Sequence, residues 1–320
     1  MFRHLAAIAI SLAATSAAGE FSLQTPVDCT LGDTCHIQHY MDRAPGPEVQ
    51  DFLCGALSYD GHQGTDFALA TIADMQKGVA VLAAADGTVR ATRDGMADRV
   101  FADADMTAID GRDCGNGVVI DHADGWQTQY CHMRRGSIAV QQGQTVAAGQ
   151  QLGTIGLSGR TQFPHLHLTL RRDGTVVDPF EPNGVDGCGG ADAPALWQDQ
   201  FPSFAGGIID VGLAEAVPDY SDIKAGKAGQ MLSTASPAMV VFGLAYGGQK
   251  GDMIEMTLTG PEGRIIRQSV TLDKPQAQFF RATGRKRSGR TWPRGLYHGT
   301  IRLFRGGVEL NSRSVQQTVR

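Results

Sequence analysis

The spacing of glycine and short apolar runs limits the fold of this chain more than any other feature. Glycine makes up 41 of 320 residues. An amphipathic helix needs apolar residues at i, i+3, i+4 and i+7 over several turns, and no stretch sustains that pattern. Short runs of alternating apolar and polar residues recur instead, separated by Gly, Asp and Asn, which reads as an all-β chain. VAVLAAADGTVRAT reads as two short strands around Asp86–Gly87, and NGVVIDHADGWQTQYCHM as a hairpin with strands near 117–121 and 126–132. FPHLHLTLRRDGTVVDPF reads as a second hairpin turned at Asp173–Gly174. Further on, AMVVFGLAYG, DMIEMTLTG, RIIRQSVTL, GLYHGTIRLFR and VELNSRSVQQTV are spaced like strands of a β-sandwich.

The start of the chain has a different character. MFRHLAAIAISLAATSAAGE has one early arginine, an apolar run from Leu5 to Ala14, then small residues. This is the layout of a cleaved secretory signal over residues 1–18. No stretch approaches the roughly 18–20 apolar residues of a membrane-spanning helix, so no span is expected. An exported, periplasmic protein follows, with an extracellular one as the alternative. All six cysteines (Cys29, Cys35, Cys54, Cys114, Cys131, Cys188) lie after the signal and no CxxC spacing occurs, which favours disulfides over thiolate metal ligation. Cys29 and Cys35 are close enough for a local loop.

Charge divides the chain. Residues 195–320 hold 16 basic and 10 acidic residues, whereas 19–194 hold 11 basic and 23 acidic. With the linker-like DGCGGADAPA, this places an irregular arm at 19–50, a first β domain at 51–185, a linker at 186–195 and a β-sandwich domain at 196–320. Nucleic acid is not an expected partner for an exported chain with a pI near 6.0.

Four of the nine histidines fall in three motifs. His62-Gln63-Gly64-Thr65-Asp66 sets an imidazole and a carboxylate four residues apart. Tyr130-Cys131-His132-Met133 ends an expected strand, and His165-Leu166-His167-Leu168 begins another. On a strand, His165 and His167 project from one face and the two leucines from the other. Zinc takes imidazole nitrogen and carboxylate oxygen, and a catalytic site keeps one position for water. His62, Asp66 and His167 supply such a set for one Zn2+ ion. His132 and His165 are then left for proton transfer or for hydrogen bonding to a developing oxyanion.

In order, spacing and flanking text (ADGTV, GNGVVIDH, QTQYCHM, GLSGRTQFPHLHL), residues 51–185 resemble the lysostaphin/LytM family of zinc metalloendopeptidases. The resemblance implies a compact antiparallel sheet with a groove. It implies that His62, Asp66 and His167 hold zinc and that His132 and His165 are catalytic. The implied activity is hydrolysis of peptidoglycan peptide cross-links by a zinc-activated water, with the D-Ala–diaminopimelate bond as the expected target in a Gram-negative envelope. Some family members lose zinc ligands and act by binding the wall or activating other hydrolases; this chain keeps all five positions. A peptidase of secreted proteins is the other alternative.

Other polar groups carry less. His36 and His39, in CHIQHYMD, lack a spaced carboxylate or thiolate partner and read as surface or core residues rather than as a second metal site. His122 reads as structural beside its turn. Asp103, Asp105 and Asp110 lack the spacing of a calcium loop. Ser158 lacks the strand–turn–helix context of a serine nucleophile. Arg281, Arg285, Lys286, Arg287, Arg290 and Arg294 form a basic cluster, read as a solvated loop or as a contact for polyanions or for the acidic first domain.

Overall fold

The computed structural model describes residues 20–102, 109, 111–184 and 194–320. The expected signal, the Asp103, Asp105 and Asp110 group, Cys188 and most of the expected linker lie outside them. No helix among the described residues is long and apolar enough to cross a membrane.

The first half contributes ten strands: β1 (His36–His39), β2 (Thr65–Ala68), β3 (Ala80–Leu82), β4 (Gly87–Arg93), β5 (Asn116–Asp121), β6 (Trp126–Met133), β7 (Thr145–Val146), β8 (Gln151–Thr154), β9 (His165–Arg172) and β10 (Thr175–Val177). The second half contributes β11 (Gly207–Ala214), β12 (Ala238–Gly248), β13 (Met253–Gly260), β14 (Gly263–Thr271), β15 (Gln276–Lys286), β16 (Gly295–Arg305) and β17 (Val308–Val319). Among the described residues, two short α-helices, α1 (Ile72–Gln76) and α2 (Tyr220–Ala225), and a 3-10 turn at Ala123–Gly125 complete the elements.

The main sheet is antiparallel and runs β1-β2-β9-β6-β5-β4-β7, with β10 added to β9. Its β5–β6 and β9–β10 hairpins form as the turn signals indicate. Asp173 (φ 51°) and Gly174 (φ 83°) both take positive φ, which suits a two-residue hairpin turn. β3 and β4 flank Asp86 but do not pair with each other: β3 pairs with β8, and β4 with β5 and β7. Phe67, Val118, Ile120, Tyr130, Leu166, Leu168 and Leu170 are buried together on one side. The histidine-bearing face of β2 and β9 is the other.

Two further antiparallel sheets follow, β11-β12-β15 and β14-β13-β16-β17, with Leu213, Val241, Ile254, Met256, Ile301 and Leu303 in the apolar layer between them. β12 is buried along nearly its whole length. Its even-numbered residues Phe242, Leu244 and Tyr246 pack into the core of the first half, and Met239, Val241 and Ala245 into the layer between the two later sheets. Burial on both sides explains why its sequence is an unbroken apolar run rather than an alternating one.

Three expectations change. The arm at 19–50 is not wholly irregular, because β1 pairs with β2 at the edge of the main sheet. Residues 207–214 form a strand that the turn-bounded pattern does not pick out. The basic cluster is not a loop throughout: Arg281, Arg285 and Lys286 belong to β15, and only Arg287, Arg290 and Arg294 follow it. β15 pairs on one side with β12, which supplies the order that its basic composition alone would not. The Arg281 side chain lies over the Phe279 ring and donates to Phe280 O.

Candidate metal centre

β2 and β9 pair in register, with Asp66 opposite His167 and Ala68 opposite His165. Because side chains alternate across a strand, Asp66, His165 and His167 emerge on the same face. His62 arrives from the preceding turn, where Gly61 takes φ 75° and His62 N–H donates to Tyr59 O. Gly64 sits where any side chain would collide: an added Cβ would lie 2.6 Å from both His167 Nε2 and Leu168 O. Only glycine lets this turn press against β9 without displacing the His167 ring.

His132 reaches the same face by another route. Cys131 is the β6 residue opposite His167, so regular alternation would send His132 to the apolar side. Its φ is 62°, a left-handed conformation uncommon outside glycine, and this breaks the alternation. Its backbone N–H donates to Cys114 O, and Cys114 is disulfide-bonded to Cys131. The His132 ring lies 4.6 Å from that of His165 and 6.0 Å from that of His167, centroid to centroid. The five residues singled out by the sequence therefore meet in one place, and all but His167 are fully buried.

The hydrogen bonds decide which atoms are available. Tyr40 O is 2.7 Å from His62 Nδ1 and can only accept, so Nδ1 carries the proton and the lone pair of neutral His62 is at Nε2. The Thr169 hydroxyl, 3.0 Å from His167 Nε2, is placed to accept its proton, which leaves Nδ1 as donor atom. His62 Nε2 and His167 Nδ1 are 3.1 Å apart, and Asp66 Oδ1 lies 3.2 and 2.9 Å from them. Two imidazole lone pairs and a carboxylate oxygen converging in this way repel one another unless a cation lies among them, so the donor set fits a metal ion. The ring-nitrogen partners (a carbonyl and a hydroxyl) are the kind that fix tautomer and orientation in metal-ligating histidines.

His132 Nδ1 donates to Ser158 O at 2.8 Å, and His165 Nδ1 to Phe163 O at 2.9 Å. Each therefore keeps Nε2 for the site; that of His165 is 3.4 Å from Asp66 Oδ1.

Charge compensation centres on Asp66. Burial alone would push its carboxyl up, but the surrounding imidazoles, His62 and His165 first and then His167, hold it well below the usual range whenever they carry a proton towards it. Burial disfavours charge on His62 too, yet Asp66 outweighs it and raises the imidazole. For His132 burial dominates, reinforced by His165 and His167, and holds the ring neutral far down the pH scale.

Sequence reasoning missed several contributors. Ser158 is no nucleophile: its hydroxyl donates to Met133 O, accepts from Asn116 N–H, and its carbonyl fixes His132. The half-exposed Tyr59 ring lies 4.5 Å from that of His62, and Phe163 stacks on His165 at the same distance, so two aromatic rings flank the site. His39, read as a surface or core residue, bonds to Asp66. His36 packs against Tyr246, and His122 bridges Asp86 O and the Thr128 hydroxyl, both structural as expected. Cys29 and Cys35 form the expected local disulfide.

This sheet with its His/Asp/His donor set belongs to a recognisable class: residues 60–179 match the model for Peptidase family M23, so the chain carries an M23 domain. That family is zinc-dependent. Over 122 residues the chain is 35% identical to the peptidoglycan DD-endopeptidase ShyA of Vibrio cholerae, covering 38% of this chain and 23% of that one. Over 68 residues it is 44% identical to the cell division protein DipM of Caulobacter vibrioides, covering 21% of this chain and 11% of that one. The chain thus spans less than a quarter of the length of either relative. Among solved structures, the catalytic domain of the antimicrobial peptidase lysostaphin from Staphylococcus simulans is similar, with 23% identity and a TM-score of 0.29, over 44% of this chain and 85% of that one.

Proposed function

We propose that this chain is an exported, periplasmic zinc metalloendopeptidase that hydrolyses peptide cross-links of peptidoglycan. The observation that carries the reading is the convergence of His62 Nε2, Asp66 Oδ1 and His167 Nδ1 beside two further imidazoles that keep Nε2 free. The peptidoglycan DD-endopeptidase ShyA supports the substrate class, and the disulfides support export.

His62, Asp66 and His167 hold the ion. When bound, it supplies Lewis-acid polarisation of the scissile carbonyl and lowers the pKa of water. His132 and His165 divide the proton traffic. One imidazole Nε2 takes a proton from the attacking water, and the imidazolium so formed gives that proton to the leaving amine; the other, when protonated at Nε2 as well, donates a hydrogen bond to the carbonyl oxygen as it gains charge. Burial keeps His132 neutral and therefore able to accept. Tyr59 and Phe163 supply apolar walls for the substrate peptide on either side. The basic residues on and after β15 offer a face for anionic wall polymer. Arg285 there lines a surface depression with Arg264 and Arg267.

The test measures zinc content and cross-link cleavage on the same preparations of wild type and Asp66→Ala, using purified peptidoglycan. One zinc per chain with release of cleaved cross-links, both lost in Asp66→Ala, is the expected result. Zinc without cleavage of peptidoglycan would transfer the reading to a wall-binding role or to a different peptide substrate. Wild-type protein that binds no zinc would refute it.

A further inference from the structure

The carboxylate of Asp66 has two oxygens, and their surroundings differ. Oδ1 faces the three site imidazoles: His167 Nδ1 at 2.9 Å, His62 Nε2 at 3.2 Å and His165 Nε2 at 3.4 Å. Oδ2 meets His39 Nδ1 at 3.0 Å. His39 lies on β1, ahead of the residues that match the peptidase family.

A local irregularity carries His39 to this point. In the β1–β2 pair, His36 is opposite Ala68 and Ile37 opposite Phe67, but His39, not Gln38, is opposite Asp66. The register shifts by one residue between Ile37 and His39, the signature of a β-bulge. Regular alternation would place His39 on the same side as Ile37, in the apolar core. The bulge turns it to the side occupied by Asp66, where it is 8% exposed and its ring meets those of Tyr59, His62 and Phe163. The neighbouring side chains anchor the bulge. Gln38 donates to Ala277 O and accepts from Gln278 of β15, and His36 packs 4.4 Å from the Tyr246 ring of β12.

We propose that His39 is a positioning residue for the metal centre: it donates its Nδ1 proton to Asp66 Oδ2, leaving Oδ1 alone for the ion. The carboxylate cannot donate in return, so the proton is on Nδ1 whatever the charge of the ring. The bond acts on Asp66 in two ways. It stops rotation about the Cβ–carboxylate bond, which would otherwise offer either oxygen or both. It also supports a ligand that carries the only negative charge in the donor set. The inference rests on the zinc reading above, but it concerns a residue and a strand outside the matched family segment.

The experiment titrates zinc into the metal-stripped full chain against a competing chelator, for wild type, His39→Ala, His39→Asn and His39→Phe, with cleavage assayed in parallel. His39→Asn keeps an N–H donor near the place of Nδ1. His39→Phe keeps the ring and its packing but no donor. The expected result is a loss of roughly 10–100-fold in zinc affinity for Ala and Phe, the range for lost partners of metal ligands, with most of it restored in Asn. A role in packing alone would reverse the order, with Phe near wild type and Asn weakened, and that would overturn the proposal. Wild-type affinity in all three variants would overturn it as well while leaving the metal centre intact. Absence of zinc binding by wild type would instead remove the reading on which it rests.

Discussion

Position 132 separates backbone strain from side-chain chemistry, because two substitutions there predict opposite things for stability and the same thing for turnover. His132→Ala and His132→Gly both delete an imidazole from the same buried place and leave the same donor set of His62, Asp66 and His167. They differ in what φ 62° costs them. A left-handed conformation costs an alanine roughly 1–2 kcal/mol and a glycine almost nothing. Against this, glycine gives the unfolded chain extra freedom, which weakens a strand or helix by roughly 0.5–1 kcal/mol relative to alanine. The difference leaves His132→Gly roughly 0.5–1 kcal/mol more stable than His132→Ala, the reverse of the order at an ordinary strand position. Urea denaturation followed by fluorescence and circular dichroism measures this, with zinc content and peptidoglycan cleavage assayed on the same samples. Both variants should retain zinc and lose at least about a hundredfold in turnover, the usual contribution of a general acid or base. Alanine equal to or more stable than glycine would refute the strain argument. Zinc lost in parallel with turnover would show that His132 is a ligand rather than a catalytic group.

Three other expectations can be checked with the same assays. Replacing Cys114 and Cys131 together with Ser removes a cross-link of sequence separation 17 and should cost about 3 kcal/mol by loop entropy. It should also lower turnover, because Cys114 O fixes His132 N–H; removing Cys29–Cys35, with separation 6, should cost about 2 kcal/mol and leave turnover unchanged. Burial pushes the Asp178 carboxyl up from 3.8 to about 6; its Oδ1 accepts from Phe180 N–H and its Oδ2 has no partner among the described residues. A raised acid favours the folded state fully below its unfolded value and loses that contribution as pH rises through the folded one, here between about pH 4 and 6, by ~3 kcal/mol. Asp178→Asn should therefore unfold later than wild type at pH 8 and converge with it near pH 4; a gap that is constant with pH would argue against the assignment. Changing Arg285, Arg287 and Arg290 to Ser should weaken co-sedimentation with purified cell wall at low salt and matter less at high salt, whereas equal binding at both would leave the basic face without a role in wall contact.

The parts of the fold visible in the sequence are those written in local periodicity and turn chemistry. The Asp173–Gly174 hairpin and the shared face of His165 and His167 need only neighbouring residues to specify them. His132 is visible as a residue type next to an aromatic strand, but its direction is not. Alternation from Tyr130 would point it into the core, and the positive φ that reverses this goes with a hydrogen bond to Cys114, which is tied to the neighbouring Cys131 across a sequence separation of 17. His39 was hidden for a similar reason. Its partner Asp66 is 27 residues distant, and a bulge inverts the face that strand period assigns to it. β15 was hidden by composition, since its arginines read as solvated until β12 provides a pairing edge.

β12 carries a consequence for how such a protein can be altered. Phe242, Leu244 and Tyr246 belong to the same buried apolar cluster as Tyr40, Phe52 and Phe180, while the alternate residues of the same strand close the other apolar layer. One strand is thus party to two interiors. The later sheets are a wall of the first half as much as an appendage to it. Shuffling this half onto a new neighbour, as is done with beads on a string, would strip that wall away and leave its aromatic cluster facing water. A replacement would have to bring its own apolar strand, matched to that cluster. The sequence of β12 is accordingly bound to two surroundings at once, and a substitution that suits one face must also leave the strand fit for the other.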